Sequence, residues 1–257
     1  MDANPMPDTP FSPEMLDSLV QKQDILPDCS LWLLDIRKLP VLMPEDIVGI
    51  LHESSVIRYS ELSRKQRRIQ FVVGRLLAKY AVSRLLDRPI HELALIERRS
   101  NAPQLRAMPP LAEPLYYSLA YRYDHAVCAI SRSRLTGLDI EVVDKEREIA
   151  TPAETAFNAH ENAWLSALPS DEWHRGYYEL WTRKEACYKL LSSKHGGIHD
   201  DLFWQTDCLA DNRFEWKTLR QPEDLLITVC QADPTVEFTL TQAPSYNPDN
   251  AFDIFRR

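Results

Sequence analysis

A strand signal, a long helical pattern and a run of further strand signals follow one another twice along the 257 residues, once before about Arg134 and once after it. That double order restricts the chain to an α+β protein of two similar halves, each a small antiparallel sheet with a long helix. In the first half Leu31 to Ile36 reads as a buried strand enclosing Trp32, and Pro44 opens a short helix through Leu51. Ser63 stands as the N-cap of a helix from Arg64 to about Leu86, whose Val73, Leu77, Ala81 and Leu85 recur at four-residue steps along one face. Pro89 marks its end. Leu93 to Ile96, Leu115 to Leu119 and Ala126 to Ser131 read as strands, the last two as antiparallel neighbours across the polar bend at Arg122 to Asp124. In the second half Thr136 to Val143 reads as a strand, Pro152 to Leu168 and Trp173 to Leu191 as helices, and Arg213 to Leu219, Leu225 to Gln231 and Thr235 to Thr241 as strands. Residues 1–28 are rich in proline and polar groups, with one short helical stretch near Ser12 to Lys22. They read as an N-terminal extension outside the core, which leaves halves at 29–134 and 135–257.

Composition narrows the functions open to such a chain. With 44% hydrophobic and 26% charged residues it resembles an ordinary folded soluble protein. A formal net charge of -8 argues against a dedicated nucleic-acid binder, although Arg64 to Arg68 and Arg98 to Arg99 form local basic patches. None of the six glycines lies in a GxGxxG or Walker-type loop, which removes the common nucleotide-cradling folds. The five cysteines are scattered and show no close pair, so neither zinc nor a disulfide framework is indicated and a reducing cytoplasm fits. No apolar run is long enough for a membrane span, and Met1 to Leu26 lacks a signal core, so neither a membrane nor export is expected.

Gly137-Leu138-Asp139-Ile140-Glu141 is the sharpest local signal. In a period-two strand Leu138 and Ile140 share one face, while Asp139 and Glu141 project together from the other. Paired carboxylates repel unless something positive sits between them, and hard divalent cations prefer carboxylate oxygen, which makes magnesium the natural candidate. On these five residues alone, a half-buried strand with an acidic solvent face is the better account of the pattern. Trp181-Thr182-Arg183-Lys184-Glu185-Ala186-Cys187-Tyr188-Lys189 reads as helix, with Trp181, Glu185 and Lys189 on one stripe. An ordinary surface pair between Glu185 and Lys189 is the plain alternative there.

Taken together, in this order and about forty residues apart, the two segments resemble the surfactin-type 4'-phosphopantetheinyl transferase family, whose Gly-hydrophobic-Asp-hydrophobic-Glu strand and Trp-x-x-Lys-Glu-x-x-x-Lys helix are both complete here. Phe157 to Glu161 is similar to the family's Phe-x-x-x-Glu element, and Val73-Gly74-Arg75-Leu76-Leu77 to its Gly-Arg-Leu-Leu helix. The resemblance covers roughly residues 29 to 240. It implies a monomeric, magnesium-dependent enzyme with pseudo-twofold halves and an active site in the cleft between them. Such an enzyme moves the 4'-phosphopantetheine arm of coenzyme A to a serine of an acyl or peptidyl carrier protein. It further implies that Asp139, Glu141 and Glu185 ligate magnesium, that Glu185 and Lys189 are catalytic, and that Lys184, Lys189, Arg75, Tyr121 and Arg122 contact coenzyme A.

Two segments depart from the family pattern. The usual Ser-His-Ser reads Ala120-Tyr121-Arg122, and the usual Gly-Lys-Pro reads Asn101-Ala102-Pro103. Arg122 adds a phosphate-binding fork in exchange. These losses fall on the nucleotide side and open a second reading, a relative that docks a carrier or partner protein but binds coenzyme A weakly.

Overall fold

The structure is a computed structural model, and it describes residues 11–41, 49–98, 101–195 and 206–236. The chain divides into two compact units, Met1–Ser133 and Arg134–Arg257. The helix expected from Pro44 and the strand expected at 235–241 lie largely outside the described residues.

In the first unit the elements run α1 (Pro13–Leu19), β1 (Val20–Leu26), β2 (Cys29–Asp35), α2 (Glu53–Glu61), α3 (Lys65–Leu86), β3 (Leu93–Arg98), β4 (Asn101–Ala107), β5 (Tyr116–Arg122) and β6 (His125–Ser131). Four strands form an antiparallel sheet in the order β1-β2-β6-β5, while β3 and β4 pair separately. Trp32 and Leu34 stand opposite Cys128 and Ala126 in register, so these side chains share a face. All four belong to one buried core with Val72, Val73, Leu76, Leu77 and Tyr80 of α3, and Trp32 meets Tyr80 edge to face with ring centroids 6.0 Å apart.

Of the segment read as an extension, the described residues 11–28 contribute to this core. Ser12 caps α1 by accepting from the Met15 amide, and Phe11 and Leu16 are buried at 3% and 1% exposure. β1 continues the sheet beyond β2. Its sequence, Val-Gln-Lys-Gln-Asp-Ile-Leu, is mostly exposed, as suits an edge strand, and carries none of the apolar signal that marks a central one. Ser63 is not the cap of α3. The N-cap is Arg64, without a side-chain hydrogen bond, and the helix ends at Asp87 in the left-handed region with φ 50°.

The second unit runs β7 (Leu135–Val142), α4 (Ala150–Ala156), α5 (Ala159–Ser166), α6 (Trp173–His195), β8 (Glu215–Gln221) and β9 (Leu225–Ala232), with sheet order β7-β9-β8. The single helix expected from Pro152 to Leu168 is broken at Phe157-Asn158. Asn158 starts a new helix through a capping box with Glu161, a signal that the spacing Asn-x-x-Glu carries in the sequence. Each unit has the same connectivity at its centre: a first strand (β2, β7), a long helix (α3, α6), then a hairpin (β5 and β6, β8 and β9) whose second strand pairs with the first. This is the α+β arrangement of small antiparallel sheets and long helices that the repeated element order predicts. No helix among the described residues is long and apolar enough to cross a membrane.

Candidate active site

β7 is buried on both faces. Leu138 and Ile140 are 0% and 2% exposed, and Asp139 on the opposite face is only 7% exposed. The acidic face is covered by α6. A Cβ at Gly137 would overlap the carbonyl oxygen of Ala186 and come within 2.9 Å of the Leu190 Cβ. Glycine at the head of the acidic motif therefore lets the helix backbone rest on the strand. Asp139, two residues on, points to the same side and meets what the next turn of the helix carries.

Lys189 donates from Nζ to Asp139 Oδ1 at 2.6 Å. Burial works against the Lys189 charge, but Asp139, Glu185 and Glu141 together hold its pKa above the ordinary lysine value. Glu185 lies in the same cluster. Burial first and the charge of Asp139 second push its carboxyl up to about 7, against the partial relief given by Lys189. Glu141, near the end of β7, adds its charge to the field at Lys189 and at Arg147.

Thr182, one turn before Ala186, is within 2.8 Å of Thr228 through their hydroxyls, and Thr228 is 3.0 Å from Thr218. Thr228 stands opposite Asp139 in register, so this hydroxyl row lies beside the cluster on the helix-facing side of the sheet. Sequence reasoning missed the row. Its only visible trace is Thr182 at the i-3 position to Glu185.

Other residues implied by the resemblance have contacts within their own units. Lys184 has no exposed side-chain surface; its Nζ lies 3.0 Å from Glu161 Oε2 and donates to the Thr206 carbonyl at 2.8 Å. That placement departs from a phosphate-binding role, because a fully enclosed ammonium has no reach toward a ligand. Arg75 donates to both carboxylate oxygens of Glu97 at 2.9 to 3.1 Å and to the Tyr121 hydroxyl at 2.9 Å, with its guanidinium 3.7 Å from the Phe71 ring centroid. Gly74 packs against the Tyr121 ring, leaving no room for a Cβ. Arg75 and Tyr121 are thus tied into the first unit, while Arg122 lies over the Tyr123 ring at 4.7 Å.

The donor chemistry of Asp139, Glu141 and Glu185 fits a hard divalent cation, being all carboxylate oxygen. Among the described residues no three or more His, Cys, Asp or Glu side chains are grouped so as to hold a metal ion as they stand. The Lys189 ammonium supplies positive charge at Asp139 instead, while burial first and the Asp139 charge second keep the Glu185 carboxyl raised.

Comparison with known proteins agrees with the motifs. Residues 136–242 match the family model of the 4'-phosphopantetheinyl transferase superfamily. The chain is 26% identical over 179 residues to the 4'-phosphopantetheinyl transferase AcpT of Escherichia coli (strain K12), covering 68% of this chain and 80% of that protein. It is 30% identical over 115 residues to the 4'-phosphopantetheinyl transferase gsp of Aneurinibacillus migulanus, covering 42% and 47%. To the 4'-phosphopantetheinyl transferase HetI of Nostoc sp. it is 23% identical over 157 residues, covering 59% and 65%. The acidic strand, the helix laid on it and these matches coincide on one stretch of chain, and it is over residues 136–242 that the chain is similar to the 4'-phosphopantetheinyl transferase superfamily.

Proposed function

We propose that this chain transfers the 4'-phosphopantetheine arm of coenzyme A to a serine of an acyl or peptidyl carrier protein, with Asp139, Glu141 and Glu185 as ligands for magnesium. The observation that supports this most is the meeting of Asp139, Glu185 and Lys189 where α6 rests on Gly137, within the stretch that matches the family. A bound magnesium ion would supply electrostatic stabilisation of phosphate oxygens.

The chain's own residues have separable tasks in this reading. The serine oxygen forms a bond to the phosphorus bearing the pantetheine arm, and the bond from that phosphorus to 3',5'-adenosine bisphosphate breaks. Glu185 accepts the serine proton, directly or through a water, as the carboxylate of α6 that faces Asp139 and Lys189. Lys189 keeps its proton and opposes the negative charge that grows on the leaving group. Arg122 is a proposed phosphate contact through its planar fork. The enzyme works as a monomer in a reducing cytoplasm, in keeping with five free, buried cysteines.

The test is incubation of the purified protein with coenzyme A, magnesium and a panel of apo carrier proteins, read by intact mass, with Glu185→Ala as control. Addition of one phosphopantetheine per carrier, lost in the variant, supports the proposal; no addition to any carrier counts against it.

One observation favours a second reading, a carrier-docking relative with weak coenzyme A affinity. Arg75, Tyr121 and Lys184 are engaged in contacts within their own units. Calorimetry separates the two, because micromolar coenzyme A binding with magnesium present contradicts the second.

A further inference from the structure

Lys184 and Glu161 form an ion pair in which neither side chain has exposed surface. Taking two charges out of water is costly, so the geometry around such a pair must satisfy both ends. Here it does. Glu161 Oε2 also accepts from the Asn158 amide at 3.0 Å, Oε1 accepts from the Cys208 amide at 2.8 Å, and Lys184 donates to the Thr206 carbonyl. The pair therefore joins α6 to the start of α5 and to the chain at 206–208.

On α6, Lys184 precedes Glu185 in sequence but lies about 200° around the helix from Ala186, at roughly 100° per residue. Ala186 is the residue whose carbonyl rests on Gly137, and Thr182 on that same side bonds Thr228. One side of α6 is seated on the sheet and the opposite side is held by Lys184. A helix gripped on both sides cannot roll, and the roll of α6 decides whether Glu185 and Lys189 reach Asp139.

We propose that Lys184 and Glu161 are positioning residues, which set the roll of α6 and so hold Glu185 and Lys189 against Asp139. Lys184 then acts through the helix and makes no contact with a substrate phosphate. The kinetic side of this inference rests on the transferase reading above, whereas the positioning is measurable without it.

The experiment compares wild type, Lys184→Met and the neutral pair Lys184→Gln/Glu161→Gln, with a nitrogen NMR signal from the Lys189 ammonium as direct readout and Lys189→Arg to assign it. The expected result is a shifted or lost Lys189 signal in Lys184→Met and a signal near the wild-type position in the double variant, which leaves no uncompensated charge. An unchanged Lys189 signal in folded Lys184→Met overturns the proposal. Should that variant not fold, Glu161→Gln takes its place with the same two outcomes, a shifted or lost Lys189 signal expected and an unchanged one overturning the proposal. In carrier-modification kinetics, Lys184→Met should lower kcat by about tenfold or more with KM for coenzyme A within about twofold. A rise of about tenfold in that KM, in both the single and the double variant, would instead place Lys184 on the ligand. If wild type modifies no carrier, the transferase reading fails and the NMR comparison still decides the positioning.

Discussion

Lys189 of α6 donates to Asp139 of β7 across a sequence separation of 50 residues, at 2.6 Å. The contact ties the two family motifs into one cluster, and its removal has a definite sign. Lys189→Met leaves the Asp139 and Glu185 carboxylates facing each other without a cation. With Lys189 31% exposed, the loss should be about 1–3 kcal/mol of stability, with transfer activity lost as well. Urea unfolding of Lys189→Met and of Lys189→Met/Asp139→Asn checks this, since the double variant should recover part of the loss. Equal stability of Lys189→Met and wild type would mean that the pair contributes nothing.

Gly137→Ala should be among the most damaging small substitutions in the second unit. The new methyl group meets backbone, the Ala186 carbonyl, and can be accommodated only by lifting α6 from β7. Overpacking of that kind costs about 1–3 kcal/mol or more. Gly176→Ala is the comparison: its Cβ would meet the Leu168 Cδ1 methyl, the end of a flexible side chain, and alanine is the better helix former. Guanidinium denaturation should rank Gly137→Ala well below Gly176→Ala, and a reversed order would remove the close-approach argument.

In the first unit Glu97→Gln should destabilise by about 3–5 kcal/mol, because it leaves the Arg75 guanidinium buried with its bidentate partner gone. Arg58 and Glu61 offer an internal control, as a pair more than half exposed on both sides. Glu61→Gln should cost under about 1 kcal/mol. Thermal melts of the two variants measure the contrast, and comparable losses would contradict it.

Acid should weaken the second unit partly through Asp211. Burial pushes this carboxyl up, but the Arg213 side chain and amide outweigh burial and hold its pKa below the usual aspartate value. A folded-state pKa below the unfolded value of about 3.9 gives stabilisation that is fully present above that value and is lost as pH falls through the folded one. The stability gap between wild type and Asp211→Asn should therefore stay constant from about pH 7 to 5 and close below about pH 4. Denaturant titrations across that range test it, and a gap independent of pH would refute the linkage.

The legible parts of this chain were those where periodicity and chemistry point the same way. Gly137 to Glu141 reads as a strand with paired acids, and Trp181 to Lys189 as a helix with a charged stripe, because each pattern matches its element's repeat. Their convergence was not written in either segment. It depends on Gly137 admitting the Ala186 carbonyl, a packing event between residues far apart in sequence. The acidic face, which alternation alone leaves open to solvent, is covered for the same reason. β1 escaped notice because an edge strand has little apolar surface to bury, and β4 because Pro103 within Asn101–Ala107 reads as a break. Lys184 was misleading for a different reason. The resemblance implies a phosphate contact for it, and only the position of Glu161 on α5 reveals that its charge is already enclosed.

Asp139, Glu185 and Lys189 are proposed as the working centre of a carrier-protein modifying enzyme. The most direct measurement is the intact mass of apo acyl and peptidyl carrier proteins after incubation with this protein, coenzyme A and magnesium, in parallel with Asp139→Asn and Glu185→Ala. The expected result is a gain of one phosphopantetheine on at least one carrier with wild type, abolished by chelation and reduced by about a hundredfold or more in each variant. Undiminished transfer by the variants, or none by the wild type with any carrier, would contradict it.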